Sequence, residues 1–491
     1  MSKLAPVHEM TESNGLSPSP SPENKQPMNS PRDWSFARKT LIFMALMSSS
    51  ILADGYLSSS PIVIGTDGTR AMVWGSTLIT QQAIDWDITV NHSATSMNYG
   101  ILLQGFGGII AVPLVEAYGR YVPCGAMWST WIVWNWTDHV RFPIWIWPQV
   151  ITMLMVLGAT LSTDYATFTT FRSLQGLFGT IPQVIGLPLI HDIYHPHVGP
   201  FLGPAIAGYI GAGTNWRVSF GVLTALYGLS TAMVLAFGRE TYASGKPGSR
   251  VGSYFGIGNT GLPKLATIAD QCRMLFVYVF KFPLFMTGLT VLVTFTWPIG
   301  ITTTIDTFLH SPPYLFNTIE ASSMRFAGVI GALCGYLVGN IFNEWIYRRH
   351  SHNWRTEYRL HGVWLPAGSM VAGLLTYGLT MQFSKHWIGI AFGWIMVNTG
   401  LVASIVAITA YALEKYPNQA TCVSAILNMW RTCGGFSVGY FQPAWIARNG
   451  LGVVFGIQAA IVIVAIILTI TPVFILGNKG RLDETEPEAV E

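Results

Sequence analysis

The pattern Gly107-x8-Glu116-x3-Arg120 (GGIIAVPLVEAYGR) recurs as Gly335-x8-Glu344-x3-Arg348 (GYLVGNIFNEWIYR), and each copy closes a long apolar run. A hydrophobic span thinned by glycine and ended by an acid and then an arginine, once in each half, predicts two related helical bundles. A chain with one large mixed core has no reason to repeat such an element.

Composition says what surrounds those bundles. Hydrophobic residues make up 51% of the 491 and charged residues only 10%, where a soluble chain carries about a quarter charged. That balance describes a polytopic membrane protein. The formal net charge of +3 gives no reason to expect nucleic acid as a partner. The five cysteines have no CxxC spacing and read as small buried hydrophobes rather than a disulfide framework or a zinc site.

A membrane-spanning helix needs about 20 mostly apolar residues. Twelve stretches qualify: 40–55, 98–115, 144–162, 167–190, 198–213, 217–237, 282–303, 324–343, 361–382, 387–411, 420–442 and 451–476. The expected organisation is a disordered cytoplasmic tail over 1–37, a six-helix bundle over 38–237 and a cytoplasmic linker over 238–272. A second six-helix bundle follows over 273–478, then an acidic tail over 479–491. Basic residues crowd the N-terminal tail, the linker and 344–360, while 80–96 and 304–323 have no lysine or arginine. The positive-inside rule then puts both termini in the cytoplasm. Asn91-His92-Ser93 is a glycosylation sequon in the first outward loop.

Polar residues inside apolar spans are expensive and usually functional. Asp54 stands in the first span and Arg172 near the start of the fourth (TTFRSLQGLFG). Arg431 and Asn428 lie inside the eleventh (LNMWRTCGGFSVGYFQ), and Gln104, Trp297 and Asn398 are further candidates to line a path. The fifth span holds Gly199-x3-Gly203-Pro204-x2-Ala207-Gly208, a smooth face for helix contact with a bend at the proline. The ligand-type residues His191, Asp192, His195 and His197 sit in a loop without a fixed scaffold, so no metal is expected. No GxxxxGK[ST] is present, so ATP-driven pumping is not expected either, and no cofactor is implied.

Three of these stretches resemble motifs of the major facilitator superfamily. GGIIAVPLVEAYGR is similar to its loop-two motif, with Gly107, Glu116, Gly119 and Arg120 in place. Arg172 with Gly176 and Gly179 is similar to its fourth-span motif, and Gly199, Gly203, Pro204 and Gly208 to the motif of its drug–proton antiporters. The resemblance extends over the whole chain, to fungal members near that antiporter group. It implies a monomeric all-α membrane protein of twelve helices in two pseudo-symmetric bundles, not an enzyme. It further implies secondary active transport by alternating access, with proton-coupled efflux of a drug-like or fungal secondary metabolite from the plasma membrane. Asp54 and Arg172 would carry coupling, Gln104, Trp297, Asn398, Asn428 and Arg431 the substrate path, and Gly107, Glu116, Gly119, Arg120, Glu344 and Arg348 the gates. The alternatives are proton-coupled uptake of an organic acid or vitamin, or a membrane sensor that does not transport. The chain departs from the family pattern at Tyr56–Arg70 and Val122–Phe142, which read as translated introns, and in a shortened fifth span beginning at Val198.

Overall fold

In hydrocarbon an unpartnered backbone amide costs several kcal/mol, so an apolar chain satisfies its backbone internally as helices. The computed structural model describes residues 78–118, 146–193, 215–237 and 265–483, and within them every long regular element is an α-helix. In chain order these are α1 (Ile79–Asp85), α2 (Val90–Tyr118), α3 (Ile146–Leu161), α4 (Tyr165–Ile193), α5 (Trp216–Phe237) and α6 (Leu265–Val279). They continue with α7 (Phe282–His310), α8 (Thr318–Arg349), α9 (Trp364–Gln382), α10 (Trp387–Lys415), α11 (Ala420–Asn449) and α12 (Leu451–Asp483).

Six of the described helices are long and apolar enough to cross a membrane: α5, α7, α8, α9 with the 3-10 run before it, α10 and α12. Helices α2, α4 and α11 are as long as these but carry more polar side chains. The expected first span over 40–55, the fifth span and both suspected insertions lie outside the described residues.

Packing repeats between the halves. Helix α2 lies along α4 as α8 lies along α10; α3 touches α4 and α5 as α9 touches α10 and α12. The glycines of the repeated motif show why. Gly107 is the eighteenth residue of α2 and Gly335 the eighteenth of α8. A Cβ at Gly107 would stand 2.0 Å from the carbonyl oxygen of Leu177, and one at Gly335 would stand 2.6 Å from that of Thr399. Leu177 and Thr399 are each the thirteenth residue of their helices, α4 and α10. The same backbone contact therefore occurs in the same register in both halves.

Helix ends run beyond the apolar edges. Helix α7 continues to His310 rather than 303, and α8 begins at Thr318 rather than 324, so much of the expected loop 304–323 is helical. A capping box fixes the start of α8: Asn317 Oδ1 accepts from Glu320 N at 2.9 Å, and Glu320 Oε2 accepts from Asn317 N at 2.8 Å. Helix α6 begins inside the stretch assigned to the linker, its Leu275 buried against the core while Phe276, Val277 and Phe280 remain exposed. Helices α11 and α12 are joined through Gly450 alone, whose φ of 77° favours glycine. Gln382 Oε1 braces that turn by accepting from Gly452 N at 3.0 Å.

At the end of the bundle opposite Arg348 and Arg349, an aromatic and ionic mesh ties α1 to α4 and α5. Asp85 accepts from Trp216 Nε1 at 2.8 Å and pairs with Arg217 at 3.3 Å. Arg217 also donates to the Ser162 carbonyl at 3.1 Å, and Trp86 Nε1 donates to that of Thr163 at 3.1 Å. The rings of Trp86, Phe168, Trp216 and Phe220 meet at 5.1–5.8 Å, mostly edge to face, the geometry that aromatic quadrupoles favour. Asp164 then starts α4 by accepting from Thr167 N and Oγ1, each at 2.8 Å, and those bonds hold its carboxyl below the usual range.

The glycine contacts predict a matched pair of effects. Gly107→Ala and Gly335→Ala should each cost about 1–3 kcal/mol, as overpacking does, and lower the thermal midpoint of the detergent-purified protein. Gly456→Ala, with no neighbour within 4 Å of the added methyl, should leave that midpoint unchanged.

Candidate functional site

Among the described helices α11 makes the main contact between the halves, lying against α2 on one side and α7 on the other, while α6 also reaches α2. Small residues permit the crossing with α2. A Cβ at Gly105 would fall 2.2 Å from Thr432 Oγ1, and one at Gly439 would fall 2.4 Å from Asn98 Nδ2. Toward α7, the contact is lined by Phe295, Gly300, Arg431 and Gln442.

Three of the residues expected to line a path meet at this crossing. Asn428 Nδ2 donates to the backbone carbonyl of Gln104 at 3.5 Å, and Asn428 Oδ1 accepts from Arg431 Nη2. The Arg431 guanidinium carbon stands 5.4 Å from the centre of the Phe295 ring on α7. All three polar residues are buried, Arg431 with 0% exposure. The side-chain oxygen of Gln104 is buried there without a hydrogen-bond partner. The arrangement thus combines a desolvated guanidinium, an aromatic face and a free amide acceptor. Such a set can take a ligand that carries an acceptor or negative group, a hydrogen-bond donor and an apolar body.

The other expected residues are distributed differently. Arg172 is buried in the N-terminal helices, donating from Nη1 to Gln175 Oε1 at 2.7 Å with its guanidinium carbon 5.1 Å from the Phe220 ring of α5. Trp297 is buried on α7 beside Phe441, their rings 6.4 Å apart, and its Nε1 has no hydrogen-bond partner. Asn398 is buried on α10, donates to the Trp394 carbonyl of its own helix at 2.9 Å, and faces Gly331 of α8. Glu344 and Arg348 pair at 2.8 Å across one turn at the exposed end of α8. Glu116 falls in the last turn of α2, with its side chain outside the described residues. Asp54, Gly119, Arg120, Gly199, Gly203, Pro204 and Gly208 also lie outside them, as do the side chains of His191 and Asp192 and all of His195 and His197. Among the described residues no cluster of three or more metal-ligating side chains is present.

The sequence reading missed a buried ion pair. Arg325 of α8 donates through Nη2 to Asp306 Oδ2 of α7, and the side chains are only 7% and 14% exposed. Asp306 falls within the stretch 304–323 read as a loop, whereas Arg325 is the second residue of the expected eighth span and was not singled out there. The available signal was an acid and a base flanking the short connection Ser311–Asn317, close to the ends of two apolar runs.

No family model matches the chain. Among characterised sequences it is similar to an MFS-type transporter, hepF, of Aspergillus oryzae, with 23% identity over 70% of this chain and 72% of that protein. It is also similar to the MFS-type transporter penM of Penicillium rubens, at 25% over 75% and 74%, and to the efflux pump radE of Floropilus chiversii, at 23% over 76% and 71%. Among solved structures, the nucleoside transporter NupG matches with a TM-score of 0.51 and the human organic anion transporter MFSD10 with 0.54. Each is 11% identical and covers 88% of this chain and 99% of the other. The repeated helix packing, the fungal relatives and these shared architectures make the chain similar to transporters of the major facilitator superfamily: a multi-pass, all-helical membrane transporter and not an enzyme.

Proposed function

We propose that the chain exports a small amphipathic compound by alternating access, driven by protons, between a bundle over 38–237 and a bundle over 273–478. The observation that carries this reading is the buried Gln104–Asn428–Arg431 cluster, because it spans the contact between the halves that alternating access has to open and close. A charged side chain held in that position has a functional cost that only ligand recognition or gating repays. The similarity to a protein described as an efflux pump supports the outward direction.

The remaining roles follow from position. Arg431 and Asn428 hold the polar part of the compound, Gln104 accepts from its donor, and Trp297 and Asn398 belong to the C-terminal side of the path. Asp54 and Arg172 carry coupling. Gly107, Glu116, Gly119 and Arg120 form one gate and Glu344 with Arg348 the matching one. Gly199, Gly203, Pro204 and Gly208 bias the cycle toward export. Arg348, Arg349, Arg355, Arg359 and Lys415 gather at one end of the bundle, which the positive-inside rule assigns to the cytoplasm. Asn91, exposed in the first turn of α2, is then an outward acceptor for glycan on the plasma membrane.

Host cells loaded with a panel of fluorescent amphipathic anions and cations test the reading. Expression of the wild-type chain should lower retention of at least one dye when a proton gradient is present. Retention of every dye unchanged would count against export. Arg431→Ala should cut the efflux rate at low dye concentration about 10- to 100-fold, the loss of about 1.5–3 kcal/mol of charged hydrogen bonding. Arg431→Lys should recover part of it. Asp54→Asn should abolish proton-driven efflux while dye exchange persists; full proton-driven transport in that variant would remove Asp54 from coupling.

A further inference from the structure

Among the described side chains, Asp306 is the least exposed carboxylate, and it is only half partnered. Its Oδ2 accepts from Arg325 Nη2, whereas its Oδ1 is buried without a hydrogen-bond partner. Two further atoms nearby are in the same condition: Arg325 Nε and the hydroxyl of Tyr377 on α9, a fully buried tyrosine that lies within electrostatic reach of both charges. Buried polar atoms are ordinarily satisfied, and unsatisfied ones mark a bound water, a ligand or a changing protonation state. Three of them converge here, in the half of the molecule that holds none of the coupling residues named above.

Arg325 has a second acceptor already in place. The same Nη2 lies 3.4 Å from the backbone carbonyl of Thr302, one turn before Asp306 on α7. The guanidinium is therefore shared between a carboxylate, which a proton can neutralise, and a carbonyl, which it cannot. The other groups facing this point are Tyr314, whose hydroxyl donates to the Lys385 carbonyl at 2.8 Å, and His310, whose ring Nδ1 is 2.7 Å from the Asp306 carbonyl. Asp306 stands one turn from the end of α7, beside the connection Ser311–Asn317, so the path to water is short.

We propose that Asp306, Arg325 and Tyr377 form a proton-binding site in the C-terminal bundle, separate from Asp54 and Arg172, and that loading it moves Arg325 from Asp306 to Thr302. This deepens the proton-coupled reading above and rests on it for its role in transport. In the loading step one proton passes from water to the Asp306 carboxylate and an O–H bond forms. Arg325 keeps its charge and transfers its hydrogen bond to the Thr302 carbonyl. The Tyr377 hydroxyl, which has no partner while the ion pair stands, bonds the Asp306 carboxyl once the site is loaded. Release returns the proton to water and restores the ion pair, so the site alternates between net charge zero and plus one. Because Arg325 belongs to α8 and Asp306 to α7, the exchange alters how those two helices are joined.

Infrared difference titration of the full chain in phosphatidylcholine vesicles reads the site without any substrate. The protonated-carboxyl absorption that grows as pH falls should be smaller by one carboxyl equivalent in Asp306→Asn, and Tyr377→Phe should shift the pH at which that equivalent appears. Removing one charge leaves the other buried and unpaired, which is strongly destabilising. The double variant Asp306→Asn with Arg325→Gln removes both and should show the same loss. An unchanged titration in the double variant would overturn the proposal. Proton movement by the wild-type chain during dye export tests the coupling reading independently, since the spectra report proton binding at Asp306 whether or not transport follows.

Discussion

The architecture depends on helices approaching until backbone touches backbone. Gly107 against Leu177 and Gly335 against Thr399 leave no room for a methyl group. In a bilayer, where lipid tails are as apolar as leucine, such close packing replaces the hydrophobic effect as the force between helices. The contact sets the spacing of α2 and α4 and of α8 and α10. It thereby fixes two rigid units of the same design. Once those units exist, the polar helix α11 can cross α2 at Gly105, Gly435 and Gly439 and carry Arg431 into the contact between them.

Rigid units with a glycine-lined crossing suit a transporter. A contact made of small residues can part without leaving large apolar knobs in water, while a hydrogen-bonded cluster at the same level supplies the chemistry. The two are adjacent here: Gly105 packs on Thr432, and the neighbouring Gln104 carbonyl receives Asn428. The outer surface of α12 shows the complementary requirement. Val453, Ile457, Ile461, Val464 and Leu468 are exposed, whereas Val454, Gln458, Val462 and Ile466 are buried, the division expected of a helix with lipid on one side.

Much of this was legible in the sequence because it depends on local pattern. The repeated glycine–acid–arginine element announced the two bundles, and buried Arg172, Arg431, Gln104 and Asn428 stood out as polar residues in apolar runs. Helix ends were less legible, since the first and last turns of α7 and α8 are polar and an apolar window excludes them. Asp306 was lost for that reason, while Arg325 lay inside the expected eighth span with no partner visible in the sequence. The direction in which a side chain points was also hidden: Asn398 looks like Asn428 in sequence, yet it bonds its own helix and faces α8, while Asn428 reaches α2. Periodicity identifies a polar position but not which neighbour will meet it.

Rocking of the halves about the α2–α11 crossing is the central claim, and electron spin resonance distances measure it directly. Spin labels at Val90, at the start of α2, and Asn449, at the end of α11, would sit on exposed positions of opposite halves at the same end of the bundle. With the five native cysteines replaced, the account predicts two distance populations whose proportions change between acidic and neutral pH. A single distance that ignores pH and added transported dye would contradict it.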